Sequence, residues 1–467
     1  MDQVTETNYV WGPTFEEMLH PGKIDPSVRE RALRAKREDP LDPVNLYNIT
    51  WKNAEDRVNY ILLPEELTGV SANIIVMYSK EFPTGSHKVG ASYSVIVEKQ
   101  LAGEIVPGKD RLVFPSTGNY GIGGAWVGTR MGYESLVLLP ELMSRERFEQ
   151  IRYYGADYIK TPGCESNVKE IYDKCKELRQ ADPRNKILNQ FEVFGNYLFH
   201  YYVTGNSALE VVEELARVGV GNGRVSAFVS ATGSAGTIAA GDRTKQRFPE
   251  CRIVGLEPIQ CPTLFNNGYG GHDIQGIGDK HVPWIHNVLN MDAVMCIDDM
   301  ECKLGLQLLT DPAGMEFLTE EAGIDADTVE KMSQIFGISG VCNVLGAIKT
   351  AKFYGMGPRD NIITVATDSI ERYRSVMAEL DEQFGKMDKV RAAVRFGSIF
   401  QAVKLDWIQE GTVNQRARWF NLKYYTWVEQ QGKTVEELNA QRDPEYWLEK
   451  QALIPEIDRR LKAARGR

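Results

Sequence analysis

The sequence predicts an α/β protein whose parallel sheets are covered on both faces. Three observations point there. Short, unbroken apolar runs recur along the middle of the chain. Each is followed by a turn rich in glycine or hydroxyl residues, and each turn leads into a stretch with helical periodicity. A strand buried on both faces reads as a continuous apolar run, and strands that alternate with amphipathic helices make a parallel sheet.

Taken in order, residues 1–44 read as an irregular arm. Prolines fall at 13, 21, 26, 40 and 43, and the charged segment RERALRAKRED reads as a short solvated helix. Residues 45–385 carry the alternating pattern. Asn73–Tyr78 reads as a buried strand, followed by the loop KEFPTGSH and the helix KVGASYSVIVEKQLAG. Leu112–Phe114 is a strand, STGN a turn and YGIGGAWVGTRMG a helix; Ser135–Leu139 is a strand and MSRERFEQIRYYG a helix. The alternation returns with strands at Ala227–Val229, Ile253–Leu256 and Ile362–Val365.

Past residue 386 the strand signal stops, and 386–467 reads as a helical extension. Its helical stretches are VRAAVRFGSIFQAVKLDWIQEG and NQRARWFNLKYYTWVEQQ. Thr434 with Glu437 forms a capping box, and Asp443-Pro444 supplies an N-cap with proline at the first helical position. Four of the eight tryptophans lie here: Trp407, Trp419, Trp427 and Trp447. A disordered tail is poor in such residues, so packing on the core or on another subunit is expected.

Composition narrows the function classes. A chain of 467 residues with 43% hydrophobic and 25% charged residues has room for two or three domains and a sizeable core. A formal net charge of −10 disfavours nucleic acid and anionic membranes as partners. The seven cysteines are scattered, with no CxxC pair, and the six histidines are dispersed. Neither a disulfide framework nor a metal site is expected, and a cytoplasmic location is. The polar start MDQVTETNYVWGPTFEE lacks an apolar signal core, and no apolar run is long enough to span a membrane.

Three strand-to-helix loops carry the candidate chemistry, because ligands gather at the carboxyl ends of strands in open α/β sheets. In Pro83-Thr84-Gly85-Ser86-His87-Lys88, the lysine opens a helix, where its amine can form an imine with an aldehyde cofactor. A solvated surface lysine is the plainer alternative. In Ser116-Thr117-Gly118-Asn119-Tyr120-Gly121, glycine lets backbone approach a ligand and the helix start offers N–H groups to a carboxylate. A capped tight turn explains the same residues. In Gly233-Ser234-Ala235-Gly236-Thr237, small and hydroxyl residues before a helix suit a phosphate, without the pattern of a nucleotide-binding loop.

The order and spacing of these loops, together with the ordered segments LTGV, PTGSHK, the stretch from STGNYGIGG to YYGADYIKTPG, LNQFEVFGN, AFVSATGSAGT, RIVGLEP, IQGIGDKHVP, FGISG and DSIERY, resemble the tryptophan-synthase-like (fold type II) enzymes of pyridoxal phosphate. Within them the chain is similar to the cysteine synthase and cystathionine β-synthase family, over residues 60–375. The resemblance implies two doubly wound parallel-sheet domains, with residues 105–200 as a smaller mobile domain, and a homodimer. It implies that Lys88 holds pyridoxal 5'-phosphate as a Schiff base and that Asn119 bonds the cofactor's phenolic oxygen. Gly233, Ser234, Ala235, Gly236 and Thr237 would cradle its phosphate. Ser369 would face the pyridine nitrogen, with Asp368 the competing candidate. Ser116, Thr117, Gly118, Tyr120 and Gln190 would take the substrate carboxylate.

The implied reaction is β-replacement or β-elimination on a β-substituted L-amino acid through an aminoacrylate, in sulfur amino-acid metabolism. The alternatives are a serine or threonine dehydratase of the same fold and a catalytically silent binding or regulatory subunit. This chain departs from the family at Tyr120, where threonine or histidine is usual, and at Ala235, where glycine is usual. His87 before the lysine is similar to the tryptophan synthase β subunit.

Overall fold

Two sheets carry the molecule, described here by a computed structural model over residues 11–116, 118–164 and 166–466. The strands in chain order are β1 Tyr60–Leu62, β2 Asn73–Tyr78, β3 Arg111–Pro115, β4 Glu134–Pro140, β5 Asp157–Thr161 and β6 Asn185–Ile187. They continue with β7 Val225–Ala231, β8 Arg252–Pro258, β9 Ala293–Ile297, β10 Asn361–Ala366 and β11 Ile408–Glu410. The larger sheet has the order β1-β2-β10-β7-β8-β9-β11 and the smaller the order β5-β4-β3-β6. The smaller sheet is wholly parallel, whereas the larger has antiparallel edges at β1 and β11.

The apolar runs explain why these segments pair. Ile74, Ile75, Val76 and Met77 of β2 are fully buried, as are Val113 and Phe114 of β3 and Val137, Leu138 and Leu139 of β4. Both faces of each central strand are therefore covered, as a parallel sheet requires. Register follows: Val76 lies opposite Thr364, and Val113 opposite both Leu136 and Ile187. The fully buried central strand β9 escaped the reading by runs, and so did the four less apolar strands β1, β5, β6 and β11. All four are edge strands, where one side needs no cover.

Two expectations need correction. The arm is not irregular over its described part. The helix expected at RERALRAKRED is there, as Pro26–Glu38, and the arm holds besides it the helix Phe15–Leu19 and 3-10 turns at Pro21–Lys23 and Pro43–Asn48. Thr14 and Glu17 form a capping box at the first helix. The extension is also not free of strands, because Ile408–Glu410 pairs with β9 and closes the edge of the larger sheet. The unpaired backbone of β9 makes that position favourable for a short strand.

The extension folds back on its own chain. Trp419, Phe420, Trp427 and Trp447 are buried, while Tyr425 faces solvent. The Trp427 indole donates to Val282 O at 2.8 Å. Lys423 is buried, and its amine donates to Trp284 O (2.9 Å), His286 O (2.6 Å) and the Gln441 side chain (2.6 Å). Three donors meet three acceptors, which is the condition for burying an ammonium. The helix Ile454–Arg465 then packs on the helix Lys88–Leu101 and on Phe15–Leu19. Asp458 accepts the Phe15 amide (2.8 Å) and the Glu16 amide (3.1 Å), and Arg465 pairs with Glu17 at 2.9 Å. Arm and extension thus brace one another behind the helix that Lys88 opens.

This packing makes the extension intramolecular cladding. A chain ending at residue 385 is expected to aggregate or lose its cooperative thermal transition, whereas an unchanged, soluble transition would contradict it. The finer test is Lys423→Met, which takes a donor from each of three buried acceptors and is expected to cost about 3 kcal/mol in chemical denaturation.

Candidate active site

Lys88 stands at the first turn of the helix Lys88–Leu101, at the carboxyl end of β2 after a connecting loop. Its side chain is buried, and Nζ lies 3.0 Å from Ser234 Oγ. Ser234 belongs to the loop between β7 and the helix Ala239–Arg247. The Ser234 hydroxyl also accepts from Asn196 Nδ2 at 3.0 Å, and Asn196 is anchored by Gln190 O at 2.9 Å. Asn196 was not found from the sequence, where it is one more amide after the QFEVFG segment.

The loop around Ser234 has the properties of an anion cradle. Among the described residues, the backbone N–H groups of 233–238 have no acceptor, although 234–238 are buried. Buried amides of this kind are otherwise almost always paired. Ala235 sits at φ +59°, a left-handed conformation that costs an alanine about 1 kcal/mol. Gly236 cannot carry a side chain, since a Cβ there would lie 2.0 Å from Asn196 Oδ1. Thr237 Oγ1 lies 3.0 Å from His87 Nε2. His87 stacks on Trp51 and meets His200 edge-on, and burial with the Lys88 charge holds its pKa well below the usual histidine range. It therefore serves Thr237 as a neutral ring. Loop, hydroxyls and buried amine together match a phosphorylated aldehyde: an anion with many acceptor oxygens, and a carbonyl within reach of an amine.

The second loop is built differently from its expected use in one respect. Ser116 Oγ accepts the amides of Gly118 (2.9 Å) and Gly121 (2.8 Å), so this hydroxyl caps the helix Asn119–Arg130. The amides of Asn119 and Tyr120 have no acceptor among the described residues and remain open to a carboxylate. The Tyr120 ring is buried and its hydroxyl donates to Leu188 O at 3.0 Å. Gln190 is buried, with its backbone carbonyl bonded by Asn196, and Thr117 lies outside the described residues.

Gly118 has φ +151°, and a Cβ there would lie 1.8 Å from Arg147 Nη1. Arg147 is a second group the sequence did not reveal. It is fully buried on the helix Arg145–Tyr153, where periodicity alone marks it as one charge among several. Its Nη2 donates to Tyr373 Oη at 2.9 Å and lies 3.7 Å from Asp368 Oδ2. Asp368 Oδ2 also accepts from Tyr373 Oη and Asn119 Nδ2, each at 2.7 Å. Burial and the Asp368 charge raise the Tyr373 pKa well above the usual phenol range, which keeps it a donor. Ser369 is buried next to Asp368, and its hydroxyl does not cap the turn Ile370–Arg372. The Arg372 guanidinium donates to Thr84 O, which ties this turn to the Lys88 loop. A cleft of about 1090 Å³, lined in part by Tyr172, Arg179, Trp284 and Lys433, contains none of these residues.

Comparison with known proteins agrees with this chemistry. The family model described as pyridoxal-phosphate dependent enzyme matches residues 63–368. A cysteine synthase of Staphylococcus aureus is 31% identical over 310 residues, covering 65% of this chain and 88% of that protein. A probable cysteine synthase of Bacillus subtilis is 28% identical over 294 residues, covering 63% and 85%. The crystal structure of O-acetylserine sulfhydrylase isoform 3 from Entamoeba histolytica shares the fold, with a TM-score of 0.58 at 24% identity over 73% of this chain and 92% of that one.

The Arg147–Asp368 pair gives a stability prediction. Arg147→Met removes one of the two buried cations near the Asp368 carboxylate and is expected to cost about 3 kcal/mol. Adding Asp368→Asn should cost less than the sum of the single changes, as urea denaturation of the cycle measures. Strict additivity would show that the two groups do not interact.

Proposed function

We propose, from the premise that the chain belongs to the pyridoxal-phosphate-dependent enzyme family, that it catalyses β-replacement on a β-substituted L-amino acid in sulfur amino-acid metabolism. The observation that carries the reading is Lys88 Nζ at 3.0 Å from Ser234, beside a buried loop whose amides have no acceptor among the described residues. The two cysteine synthases of similar sequence support the substrate class.

In this reading Lys88 holds the cofactor, and the amides of 233–238 with the hydroxyls of Ser234 and Thr237 hold its phosphate. Asn119 takes the phenolic oxygen. Ser369 takes the pyridine nitrogen, with Asp368 the competing candidate, since its Oδ2 is engaged by Asn119 and Tyr373 while its Oδ1 has no partner among the described residues. Bound pyridoxal phosphate supplies the electron sink that lets a substrate Cα–H bond ionise. The rest is work for the chain's own groups. The open amides of Asn119 and Tyr120, with Gly118, Thr117 and Gln190, take the substrate carboxylate. Lys88 removes and returns the Cα proton. The buried walls exclude water, which favours addition of a nucleophile over hydrolysis.

The unit we read as mobile, residues 105–200, contains the whole smaller sheet. Its closure on a bound carboxylate would bring the start of the helix Asn119–Arg130 over the substrate. A cytoplasmic homodimer completes the reading. All seven cysteines are unpaired, which suits a reducing compartment. Val390 and Val394, one turn apart and exposed, offer an apolar patch to a second copy. No helix among the described residues is long and apolar enough to cross a membrane.

The purified protein should be yellow, and borohydride should fix a pyridoxyl group on Lys88, as peptide mass reads. Among serine, O-acetylserine, O-phosphoserine, cysteine and threonine, with and without sulfide, a β-substituted serine with sulfide should turn over best. A Lys88→Ala protein with undiminished turnover would refute the assignment. Saturating amino acid should also slow hydrogen exchange at residues 118–121, and unchanged exchange would count against closure.

A further inference from the structure

Asp279 is a buried carboxylate that the reading above leaves without a task. It ends the turn Gly276-Ile277-Gly278-Asp279, whose backbone is pinned on three sides. Gly278 N donates to Thr232 O at 3.0 Å, His272 Nε2 lies 2.7 Å from Gly278 O, and Thr263 Oγ1 donates to Asp279 O at 2.8 Å. The turn runs along the cofactor cradle. A Cβ placed on Gly276 would lie 3.6 Å from Asn119 Nδ2, and one on Gly233 would lie 3.6 Å from Asp279 Oδ2. The Asp279 side chain is only 6% exposed, and Oδ1 has no hydrogen-bond partner among the described residues.

The titratable and charged groups that face it are Lys88, Tyr172 and Cys261. Lys88 is the one cation among them. No arginine or second lysine pairs with Asp279 among the described residues, so it is not half of a structural ion pair. A residue placed only for packing would not need a charge here, and a carboxyl left unbonded in a ligand cradle is free to exchange a proton with what enters it.

We propose that Asp279 is a second acid–base group of this site, trading one proton between the leaving group and the nucleophile at the substrate's β-carbon. The proposal rests on the β-replacement reading and assigns its proton inventory. Lys88 takes the Cα proton and later returns it. The bond from the β-carbon to the leaving atom breaks, its electron pair stays with that atom, and the leaving atom takes the proton of the Asp279 carboxyl. The nucleophile, a thiol or sulfide, then gives its proton to Asp279, and the pair so released forms the new bond to the β-carbon. The nucleophile's proton has passed to the leaving group, Asp279 ends as it began, and no further reactant is needed. Burial raises the Asp279 pKa to about 7 against the opposing effect of Lys88, so both protonation states are populated at neutral pH.

The test uses the full chain with Asp279→Asn. Pyridoxal phosphate uptake, followed by visible absorbance, should match wild type. Turnover of O-acetylserine with sulfide should fall about 100-fold, and the group titrating near pH 7 in the wild-type rate profile should disappear. A second readout needs no cofactor. A carboxyl whose folded pKa is raised adds stability while protonated and loses it as pH rises through the folded value. The wild-type thermal midpoint should therefore fall relative to Asp279→Asn from pH 4 to about pH 7, then hold a constant offset. Asp279→Ser, judged by the same measurements, replaces the first variant if circular dichroism shows that it misfolds. Wild-type turnover and rate profile in a folded variant would overturn the proposal, as would a midpoint difference independent of pH. A wild-type chain inactive on every β-substituted amino acid would instead overturn the reaction reading, and the cofactor-free titration tells that outcome from a wrong assignment of Asp279.

Discussion

An amine can be kept inside a protein only where acceptors are delivered to it, and the contact between Lys88 Nζ and Ser234 Oγ at 3.0 Å is that delivery here. The two residues are 146 positions apart in sequence and meet because β2 and β7 both flank β10 in one sheet. Parallel strands point their carboxyl ends the same way, so the loops after β2 and β7 open on one edge. Ser234 in turn holds Asn196, and Asn196 fills the space that a side chain at Gly236 would need. Moving any of the three would displace the amides that await an anion.

The site is braced from outside as well as assembled from within. The helix that Lys88 opens carries Tyr93, whose hydroxyl donates to Pro13 O at 2.7 Å in the arm. Its outer side is covered by the last helix of the extension, which itself caps the arm through Asp458. The extension thus lies outside the residues matched by the family model, yet it contributes to holding the lysine helix in place. The Trp427 and Lys423 contacts to Val282, Trp284 and His286 extend the same bracing to the segment that follows Asp279.

Much of this was legible in the sequence, and the rest was hidden for physical reasons. Six of the seven central strands announced themselves as apolar runs because both of their faces are buried, although Ala293–Ile297, just as buried, was passed over; the three loops did so because tight turns and free helix starts demand glycine and hydroxyl residues. Edge strands such as Ile408–Glu410 need only partial cover and left no such run. The capping box of Thr14 and Glu17 was present in the letters but masked by the surrounding prolines. Arg147, Asn196 and Tyr373 were hidden for another reason. Each sits in an ordinary helix or turn and takes its role in part from partners 28 to 226 positions away. Tertiary contact of that kind has no local signature. Ser116 shows the converse, since the motif marked it correctly as part of a helix start while its hydroxyl is used by the backbone.

The most direct test of the central claim is a crystal structure of the protein grown with pyridoxal 5'-phosphate. The account predicts electron density continuous from the cofactor to Lys88 Nζ. The phosphate should lie within hydrogen-bonding distance of the amides between Ser234 and Ile238. Density for the cofactor elsewhere, or a Lys88 amine still bonded to Ser234 with the loop empty at saturating cofactor, would contradict it.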